Sequence, residues 1–473
     1  LALMDRTADT PIAELAPMLA RLRGAQAARI PDFAQRRDDL RRLRAVVLRR
    51  LPEIVAAADA DFAGRSKHET LVADAMTTVT EISHVLSHLR RWMRPQRRAV
   101  NLAFRPARAE LRAMPLGVVG VMSPWNYPFN LALVPLVAAI AGGNHVLLKP
   151  SEHTPRIGQL LRELLAEVFP EDRVAVALGG AELAAAFAAL PFDHLFFTGS
   201  TALGRRVMQA AAPNLTPLTL ELGGKSPALI APGYPIAHAA ERILTGKCFN
   251  AGQTCIAPDY VLLPRAAVED FIAAAKRDFG RRYPQLAHNR DATSVINARQ
   301  FARLRALRED AAARGTRIVE CAPPPEDGRL ILPLTLLVDP PTEAQAMQEE
   351  IFGPLLPLVP YDEFDAALAQ VRAQERPLAF YPFDRDRSRL ERTLATVVAG
   401  GVCVNDTVLH FAQHSLPFGG VGPSGMGAYH GETGFRAMTK AMPVMRQSRL
   451  SAVGLFDPPY GRVADRLLRL LIR

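Results

Sequence analysis

The sequence contains little of what marks a secreted, metal-stabilised or membrane-spanning protein. Four cysteines lie among 473 residues, at positions 248, 255, 321 and 403, and no two are spaced as C-x-x-C. Scattered cysteines predict neither a disulfide framework nor a zinc site, so we expect no metal and a reducing, cytoplasmic setting. The longest apolar run, 131–143, is too short to cross a bilayer and contains Pro135. It predicts a buried helix, and we expect no membrane partner.

Lysine is also scarce, with six in the whole chain, so the net charge of +10 comes from arginine. Excess positive charge raises the question of nucleic acid binding. The densest basic stretch, 36–50, also carries Asp38 and Asp39 and has apolar residues at helical spacing. That pattern is typical of a solvated helix face, so we expect no nucleic acid partner. The length predicts two or three domains.

From about residue 115 the chain alternates between short apolar strands and helices. Residues 1–95 are predicted to be helical, and 96–113 are predicted to form a protruding hairpin. Strands that are apolar throughout and alternate with helices predict parallel sheets covered on both faces, hence an α/β fold whose first sheet is Rossmann-like. The predicted strands are 117–122, 145–149, 174–178, 194–198 and 218–222 in a first series, and 226–231, 260–263, 332–338, 356–360, 378–383 and 401–405 in a second.

A glycine turn after the strand 194–198 is a candidate phosphate site. Gly199-Ser-Thr-Ala-Leu-Gly204 leads directly into a predicted helix. Backbone N–H groups and the helix dipole at such a turn suit a pyrophosphate, although an ordinary βα turn often contains glycine as well. The segment 420–425 also matches G-x-G-x-x-G, but no βα unit surrounds it, so we do not expect it to hold a dinucleotide.

Lys149 and Glu152 follow the neighbouring strand 145–149. Ligands of open parallel sheets bind at the carboxyl ends of strands. A lysine there can donate to phosphate or ribose oxygens, and a carboxylate can accept from ribose hydroxyls. A surface salt bridge between the two side chains is an equally good interpretation of the segment alone.

Three further residues are candidates for covalent chemistry. Glu221 ends an apolar strand before Gly-Gly, where desolvation would raise its pKa toward that of a general base, although a strand-end carboxylate paired with arginine explains it equally well. Cys255 lies in a loop after a helix, and a buried cysteine is more often a small hydrophobe than a nucleophile. Asn126 follows the strand 117–122 and could donate to an oxyanion, although an Asx turn between prolines is the commoner use.

Taken together, the segments that carry these residues resemble the aldehyde dehydrogenase superfamily. The matches occur in the family's order and cover roughly residues 50 to 445. They are Pro124-Trp-Asn-Tyr-Pro, Lys149-Pro-Ser-Glu, Phe197-Thr-Gly-Ser, Leu220-Glu-Leu-Gly-Gly-Lys-Ser-Pro, Gly252-Gln-Thr-Cys, Glu349-Glu-Ile-Phe-Gly-Pro and Leu416-Pro-Phe-Gly-Gly.

The resemblance implies a role for each matching residue. Cys255 would attack the aldehyde, Asn126 and the backbone N–H of Cys255 would stabilise the oxyanion, and Glu221 would activate the water that hydrolyses the thioester. The residues implied to lie against the cofactor are Trp125, Lys149, Glu152, Gly199, Ser200, Gly204, Leu222, Glu350 and Phe352. Tyr127 is implied in the substrate pocket, and Gln300 in a minor cofactor contact, although Phe301 departs from the family pattern there.

Within the superfamily the chain is similar to the class 3 branch and most to the coniferyl aldehyde dehydrogenases. The stretches that carry this likeness are 61–70 and 417–431. The likeness implies a homodimer, an aromatic or medium-chain aldehyde as substrate, and NAD as cofactor with NADP left open. It implies an NAD(P)-binding domain of 1–95 and 114–222, a catalytic domain of 223–421, a β bridging arm of 96–113 and 433–447, and a C-terminal helical tail of 448–473.

Two alternatives to this function remain open. In a CoA-acylating dehydrogenase, CoA rather than water would take the acyl group, and Glu221 argues against it. A chain that keeps the fold only for a structural role would bind cofactor without turnover, and the presence of Cys255, Glu221 and Asn126 argues against that.

Overall fold

The computed structural model describes residues 9–326, 328–449, 454 and 457–472. Parts of the expected cofactor domain (1–8) and of the expected C-terminal tail (450–453, 455–456 and 473) lie outside these residues. The α-helices are α1 Leu15–Ala28, α2 Phe33–Arg49, α3 Leu51–Phe62, α4 Lys67–Glu69, α5 Thr77–Trp92, α6 Asn130–Gly142, α7 Pro155–Val168, α8 Ala181–Ala188, α9 Thr201–Ala211, α10 Ile236–Cys248, α11 Val268–Arg282, α12 Ala298–Ala313, α13 Gln345–Gln348, α14 Phe364–Ala373, α15 Arg387–Thr396, α16 Gly431–Ala437 and α17 Arg462–Leu471.

The strands of the described residues form three sheets. They are β1 Gln96–Arg98, β2 Arg108–Pro115, β3 Val118–Met122, β4 His145–Lys149, β5 Val174–Val176, β6 His194–Thr198, β7 Leu218–Glu221, β8 Pro227–Ile230, β9 Tyr260–Pro264, β10 Arg317–Glu320, β11 Thr335–Val338, β12 Leu355–Tyr361, β13 Ala379–Phe383, β14 Gly401–Val402, β15 Gly425–Met426 and β16 Thr439–Arg446.

The first large sheet has the order β15-β7-β6-β3-β4-β5. Its strands pair in parallel except β15, which pairs antiparallel with β7. The chain starts this sheet at β3, adds β4 and β5 on one side, and returns to add β6 and β7 on the other. The strand order therefore reverses between β3 and β6, and a crevice at that switch point is where open α/β sheets bind ligands.

The second large sheet has the order β10-β11-β12-β9-β8-β13-β14, with only β10 antiparallel to its neighbour. A third sheet, β1-β2-β16, is antiparallel throughout and joins residues 96–115 to residues 439–446. The prediction of an α/β protein with parallel sheets is confirmed. The apolar run 131–143 forms α6, in which every residue is buried.

Several elements differ from the sequence prediction. The edge strands β10 and β15 and the helix α15 were not predicted. The region 1–95 is largely helical as predicted, but residues Thr70–Met76 form a π-helix between α4 and α5. Helix α17 forms where a docked tail helix is predicted, but Ala464 is its only buried residue. No helix within the described ranges is both long enough and apolar enough to cross a membrane.

Candidate active site

The predicted site residues gather at the carboxyl edge of the first sheet. Asn126 follows β3 and Gly199 follows β6, the two strands that flank the switch point. Lys149 ends β4 and Glu221 ends β7. Parallel strands present their carboxyl ends at one edge, and the backbone N–H of Gly199 donates to the carbonyl of Glu221 at 3.0 Å across two of these ends.

The loop that carries Cys255 has an unusual backbone. After α10, Asn250, Ala251 and Gly252 have φ values of 52°, 53° and 73°. Residues other than glycine pay roughly 1–2 kcal/mol for this left-handed conformation, so surrounding contacts must hold the turn. At Gly252 a Cβ would also overlap the carbonyl oxygen of Gly353, so glycine is required there by both conformation and close approach.

Gln253 supplies much of what holds this loop. Its side chain is fully buried and donates at 3.0 Å to the carbonyls of Asn250 and Ser294, while its oxygen accepts from the backbone N–H of Ile296 at 2.9 Å. Both ends of the amide are therefore used. The half-buried Cys255 follows two residues later, on a loop with little freedom to move.

The thiol of Cys255 lies in an environment that disfavours its ionisation. Burial raises its pKa above the ordinary value, and the carboxylates of Glu350 and Glu221 raise it further. These two carboxyl groups are thus near neighbours of the sulfur. A raised pKa keeps this cysteine in its thiol form at neutral pH, so a nucleophilic role requires that its proton be removed during the reaction.

The surroundings of Glu221 disfavour its charged form. Its side chain is 3% exposed, and neither carboxyl oxygen has a hydrogen-bond partner among the described residues. Burial raises its pKa well above the ordinary value. The arginine-paired interpretation of this residue is therefore wrong, because no ion pair to Glu221 exists in the described part of the chain. A desolvated carboxyl beside a thiol has the properties of a general base.

Asn126 is joined directly to the Cys255 loop. Its Nδ2 donates to the carbonyl of Gln253 at 3.2 Å. In return, its own carbonyl accepts from Nδ2 of Asn250 at 3.0 Å. The next residue, Tyr127, shares a hydrogen bond of 2.5 Å between its hydroxyl and that of Thr254, which precedes Cys255. The loops after β3 and after α10 are therefore one connected unit.

Glu350 and Phe352 approach the same edge from the second sheet. The Oε1 atom of Glu350 is buried without a hydrogen-bond partner among the described residues. Burial, with the charge of Asp259, raises the pKa of Glu350 to about 8. A Cβ at Gly223 would overlap the Glu350 carboxylate, so glycine makes room for it. Phe352 packs edge-on against Trp125, with 5.3 Å between ring centres.

Lys149 and Glu152 form an ion pair of 3.0 Å, as one interpretation of the sequence predicts. Lys149 is buried, whereas the Glu152 side chain is 38% exposed. Burial works against the charged form of Glu152, but its own backbone N–H and the Lys149 ammonium lower the pKa of its carboxyl below the ordinary value. The pair therefore presents one cation and one anion at the mouth of the crevice.

The glycine turn after β6 leads into a capped helix. Ser200 is the N-cap of α9 and accepts from the backbone N–H of Leu203 at 3.4 Å. A Cβ at Gly204 would lie 2.7 Å from a methyl carbon of Leu222, so glycine lets α9 pack closely on the end of β7. The remaining N–H groups at this helix end are oriented to bind an anion.

Gln300 lies away from this crevice but is connected to it. Its side-chain oxygen accepts from Nε of Arg303 at 2.9 Å. Arg303 in turn donates to the carbonyls of Glu350 and Ile351 and forms an ion pair of 3.0 Å with Glu349. Gln300 therefore contacts the segment 349–351 through Arg303.

Sequence reasoning missed four buried side chains that face the site. Arg65, Glu69 and Asp74 lie under the two loops. Tyr429 is 1% exposed, and burial followed by the charges of Glu221 and Cys255 raises its pKa. The stretches 61–70 and 417–431 were noted only as family likenesses. Their function comes from contacts to residues far away in the sequence.

The residues present fit a nicotinamide dinucleotide. An unpartnered buried carboxyl oxygen of Glu350, the capped end of α9 and the Lys149–Glu152 pair all lie around the switch point. Hydroxyl groups of a ribose could supply the donor that Glu350 lacks, and a pyrophosphate could accept from the α9 N–H groups.

Comparison with known proteins agrees with this geometry. The aldehyde dehydrogenase family model matches residues 19–444. The chain is 48% identical to the probable coniferyl aldehyde dehydrogenase of Pseudomonas aeruginosa, over 98% of this chain and 97% of that protein. It superposes on a substrate-bound structure of Staphylococcus aureus AldH with a TM-score of 0.92 and 34% identity, covering 97% of this chain and 99% of that one.

A nicotinamide cofactor is found in a further structural relative. The Mycobacterium tuberculosis aldehyde dehydrogenase complexed with NAD+ has a TM-score of 0.84 and 26% identity, over 93% of this chain and 91% of that one. The matches span nearly the whole sequence and include the two large sheets and the crevice between β3 and β6. This chain belongs to the aldehyde dehydrogenase family, and its activity is the NAD(P)-dependent oxidation of aldehydes.

Proposed function

We propose that this chain oxidises an aromatic aldehyde of the coniferyl type to its carboxylic acid, with NAD as cofactor, through a thioester on Cys255. The observation that carries the proposal is the meeting of three groups from separate segments. The buried Glu221, which has no hydrogen-bond partner among the described residues, is close enough to act on the charge of the Cys255 thiol, and Asn126 is hydrogen-bonded into the Cys255 loop. A nucleophile, a base and an amide donor are the minimum set for acyl transfer.

The first step is addition of Sγ to the aldehyde carbon, in which the S–H proton passes to solvent water and negative charge develops on the carbonyl oxygen. An amide NH2 group has two N–H donors. One N–H of Asn126 is used by the carbonyl of Gln253, which leaves the other for the oxyanion together with the backbone N–H of Cys255. A fixed donor of this kind contributes about 2.7–4 kcal/mol to lowering the barrier.

The second step is hydrolysis. When bound, the nicotinamide supplies the acceptor for the hydride that leaves the former aldehyde carbon, and Cys255 then carries the acyl group. Glu221 removes a proton from water as the water oxygen attacks the thioester carbon, and Sγ leaves as the products separate. Because burial raises the pKa of Glu221 above its ordinary value, this carboxylate takes up a proton more readily than an exposed one, as a general base requires.

Glu152 supports NAD over NADP. Its carboxyl, held ionised beside Lys149, lies at the end of β4 where an adenosine ribose would bind. A carboxylate accepts from ribose hydroxyls and repels a 2′-phosphate. Lys149, Ser200 and the turn at Gly199 would hold the phosphate and ribose oxygens, and Glu350 would bind the second ribose.

An aromatic substrate is supported by the relative and by the pocket. The Pseudomonas aeruginosa protein named for coniferyl aldehyde shares 48% of its residues with this chain. Tyr127 is hydrogen-bonded to Thr254, the residue before Cys255, and its ring stacks on Phe249 with 6.4 Å between ring centres. Flat aromatic walls favour a planar aldehyde through stacking, whereas a medium-chain aliphatic aldehyde would gain only apolar contact.

The three-stranded sheet supports a homodimer. Strands β1 and β16 are its two edges, and neither pairs with a further strand among the described residues. An open edge of this kind is satisfied by a strand of a second chain. Sedimentation equilibrium of the full chain would measure the assembly directly, and a monomer at micromolar concentration would contradict it.

The experiment that tests the chemistry compares two cysteines. Cys255→Ala is expected to abolish aldehyde-dependent formation of NADH. Cys321→Ala is the matched control, because Cys321 is also half-buried but follows β10 at the far edge of the second sheet. The wild-type product should be free acid in the absence of CoA. Activity that survives in Cys255→Ala would overturn the mechanism, and a strict requirement for CoA would identify an acylating dehydrogenase instead.

A further inference from the structure

Three charged side chains that the proposed chemistry does not use are buried beneath the site. Arg65, Glu69 and Asp74 are 3%, 8% and 1% exposed. They come from the short segment between α3 and α5, which includes the π-helical turn. Burying a charge is costly unless it is paired or hydrogen-bonded, so each must have a specific use.

Arg65 and Asp74 hold the loop that carries Asn126. They form a buried ion pair of 2.9 Å. The second terminal nitrogen of the Arg65 guanidinium, Nη1, donates to the carbonyl of Asn126 at 3.0 Å. The other oxygen of Asp74 accepts from the backbone N–H groups of Phe129 and Asn130, at 3.2 and 3.0 Å. Helix α6 begins at Asn130 without a side-chain cap of its own, so Asp74 satisfies its first turn from a distant segment.

Glu69 holds the other loop. Its Oε2 accepts from the backbone N–H of Asn250 at 3.1 Å and from the hydroxyl of Thr293 at 2.6 Å. Asn250 is the first of the three left-handed residues that lead to Cys255. The segment of Glu69 thus contacts the loop that carries Asn126 on one side and the loop that carries Cys255 on the other. A π-helical turn directly after Glu69 spaces these side chains differently from a regular α-helix, and such turns are frequent at functional sites.

We infer that Glu69 is a positioning residue, which together with the Arg65–Asp74 ion pair fixes the Cys255 loop against the Asn126 loop. The inference rests on the proposed function, because it assumes that Cys255 and Asn126 act on one carbonyl group. Neither Glu69 nor the ion pair touches the reacting atoms. Their effect is to set the distance between the sulfur and the amide donor, and a displacement of about 1 Å between such groups can cost about 100-fold in rate.

The hydrogen bonds of Glu69 depend on its ionisation. Burial raises its pKa to about 7, against the opposing effect of its two hydrogen bonds and of Arg65. The other ionisable groups that face it are Asp291, Tyr127 and Tyr283. The ionised carboxylate accepts stronger hydrogen bonds than the neutral form, so the loop is held more firmly above neutral pH than below it.

The test compares substitutions at Glu69 in the full-length protein. Glu69→Ala removes the acceptor, and we expect kcat to fall about 100-fold with KM for NAD unchanged, since the cofactor groups lie on other strands. Glu69→Gln keeps an oxygen at the same place, so we expect its kcat to be close to that of the wild type below pH 7. Above pH 7, where the wild type has the stronger acceptor, we expect the ratio of variant to wild-type kcat to fall as pH rises. Asp291→Asn is the matched control, because it alters a neighbouring charge without touching either loop, and wild-type kcat is expected.

A second measurement is independent of turnover. The rate at which iodoacetamide alkylates Cys255, followed by peptide mass spectrometry, reports the loop alone, and we expect it to rise in Glu69→Ala. If the alanine variant does not fold, Glu69→Asp takes its place, because it withdraws the carboxylate by one methylene and should show the same losses.

The inference would be overturned if the alanine or aspartate variant had the kcat and the alkylation rate of the wild type. It would also be overturned if kcat of the glutamine variant below pH 7 were no higher than that of the alanine variant. Activity retained in Cys255→Ala would instead contradict the proposed function, and the alkylation result would still stand.

Discussion

Replacing Glu221 by glutamine separates the two consequences of burying a carboxyl without a partner. The substitution keeps the shape and removes the base. Because burial without a partner among the described residues favours the uncharged form of Glu221, an uncharged amide fits the same surroundings. We therefore expect a folded protein whose chemistry stops after the first half of the reaction.

The kinetic consequence follows from the proposed order of steps. Attack by Cys255 does not need Glu221, so a first equivalent of NADH per active site should still form. Hydrolysis then lacks its base, and loss of a general base typically slows a step about 10²–10⁴-fold. A burst of about one equivalent followed by a slow steady state is expected in rapid-mixing measurements of NADH fluorescence.

The thermodynamic consequence has a defined sign. The folded protein binds the Glu221 proton more tightly than the unfolded chain does, so the contribution of this carboxyl to stability is complete below an unfolded pKa near 4.5 and is lost as pH rises toward the folded value. The loss is about 1.4 kcal/mol for each pH unit between the two pKa values. Glutamine has no proton to lose, so the variant should become progressively more stable than the wild type as pH rises.

Urea midpoints of both proteins, measured between about pH 5 and about pH 7, test this sign. Parallel pH dependence in wild type and variant would refute the argument that burial raises the pKa of Glu221. A wild-type steady-state rate in Glu221→Gln would refute its role as the base. If the variant shows no burst, Glu221 is needed for a step that leads to the thioester rather than for hydrolysis of the thioester.

Three further predictions follow from single contacts. Asn126→Ala should lower kcat/KM by about 10²–10³ through loss of one oxyanion donor, measured by initial rates, and an unchanged rate would remove Asn126 from the mechanism. Glu152→Ser should raise kcat/KM for NADP relative to NAD by removing the carboxylate beside Lys149, and an unchanged ratio in cofactor titrations would show that discrimination lies elsewhere. Gly252→Ala should lower the melting temperature more than Gly233→Ala, because both have positive φ but only the first meets a backbone atom. Equal changes in melting temperature in the two variants would contradict the close approach of Gly252 to Gly353.

The sequence was sufficient for the regular elements that are apolar and bounded by turns. The strands β4 and β6 begin and end where the sequence predicts, because each is a short apolar run between a polar or glycine turn and a helix. Helix α15 was missed because Thr393 is its only buried residue, so it has no apolar period to detect. Strand β15 is two residues long in a glycine-rich stretch, and its pairing with β7 depends on the tertiary fold.

The site was predictable one motif at a time and not as an arrangement. Each motif residue could be recognised, but the hydrogen bonds that join Asn126 to Gln253 and Asn250 cross 124–127 positions in sequence. The contact of Glu69 with Asn250 crosses 181. No local sequence pattern predicts such pairs. In sequence, Glu69 has the features of an ordinary surface glutamate on a helix, and only the tertiary fold shows that it is buried under the loop that carries Cys255.

The electrostatics of the site favour one order in which Cys255 and Glu221 lose their protons in the proposed reaction. The carboxylates of Glu350 and Glu221 raise the pKa of the Cys255 thiol, so a thiolate at Cys255 equally disfavours ionisation of Glu221, because coupled groups resist carrying the same charge. Attack on the aldehyde uses the thiolate and ends with an uncharged thioester. That change removes the repulsion between the two groups and leaves burial as the remaining effect that opposes ionisation of Glu221. Ionisation of Glu221 is therefore easier after acylation than while Cys255 is a thiolate, which is consistent with Glu221 acting as the base in the hydrolysis step.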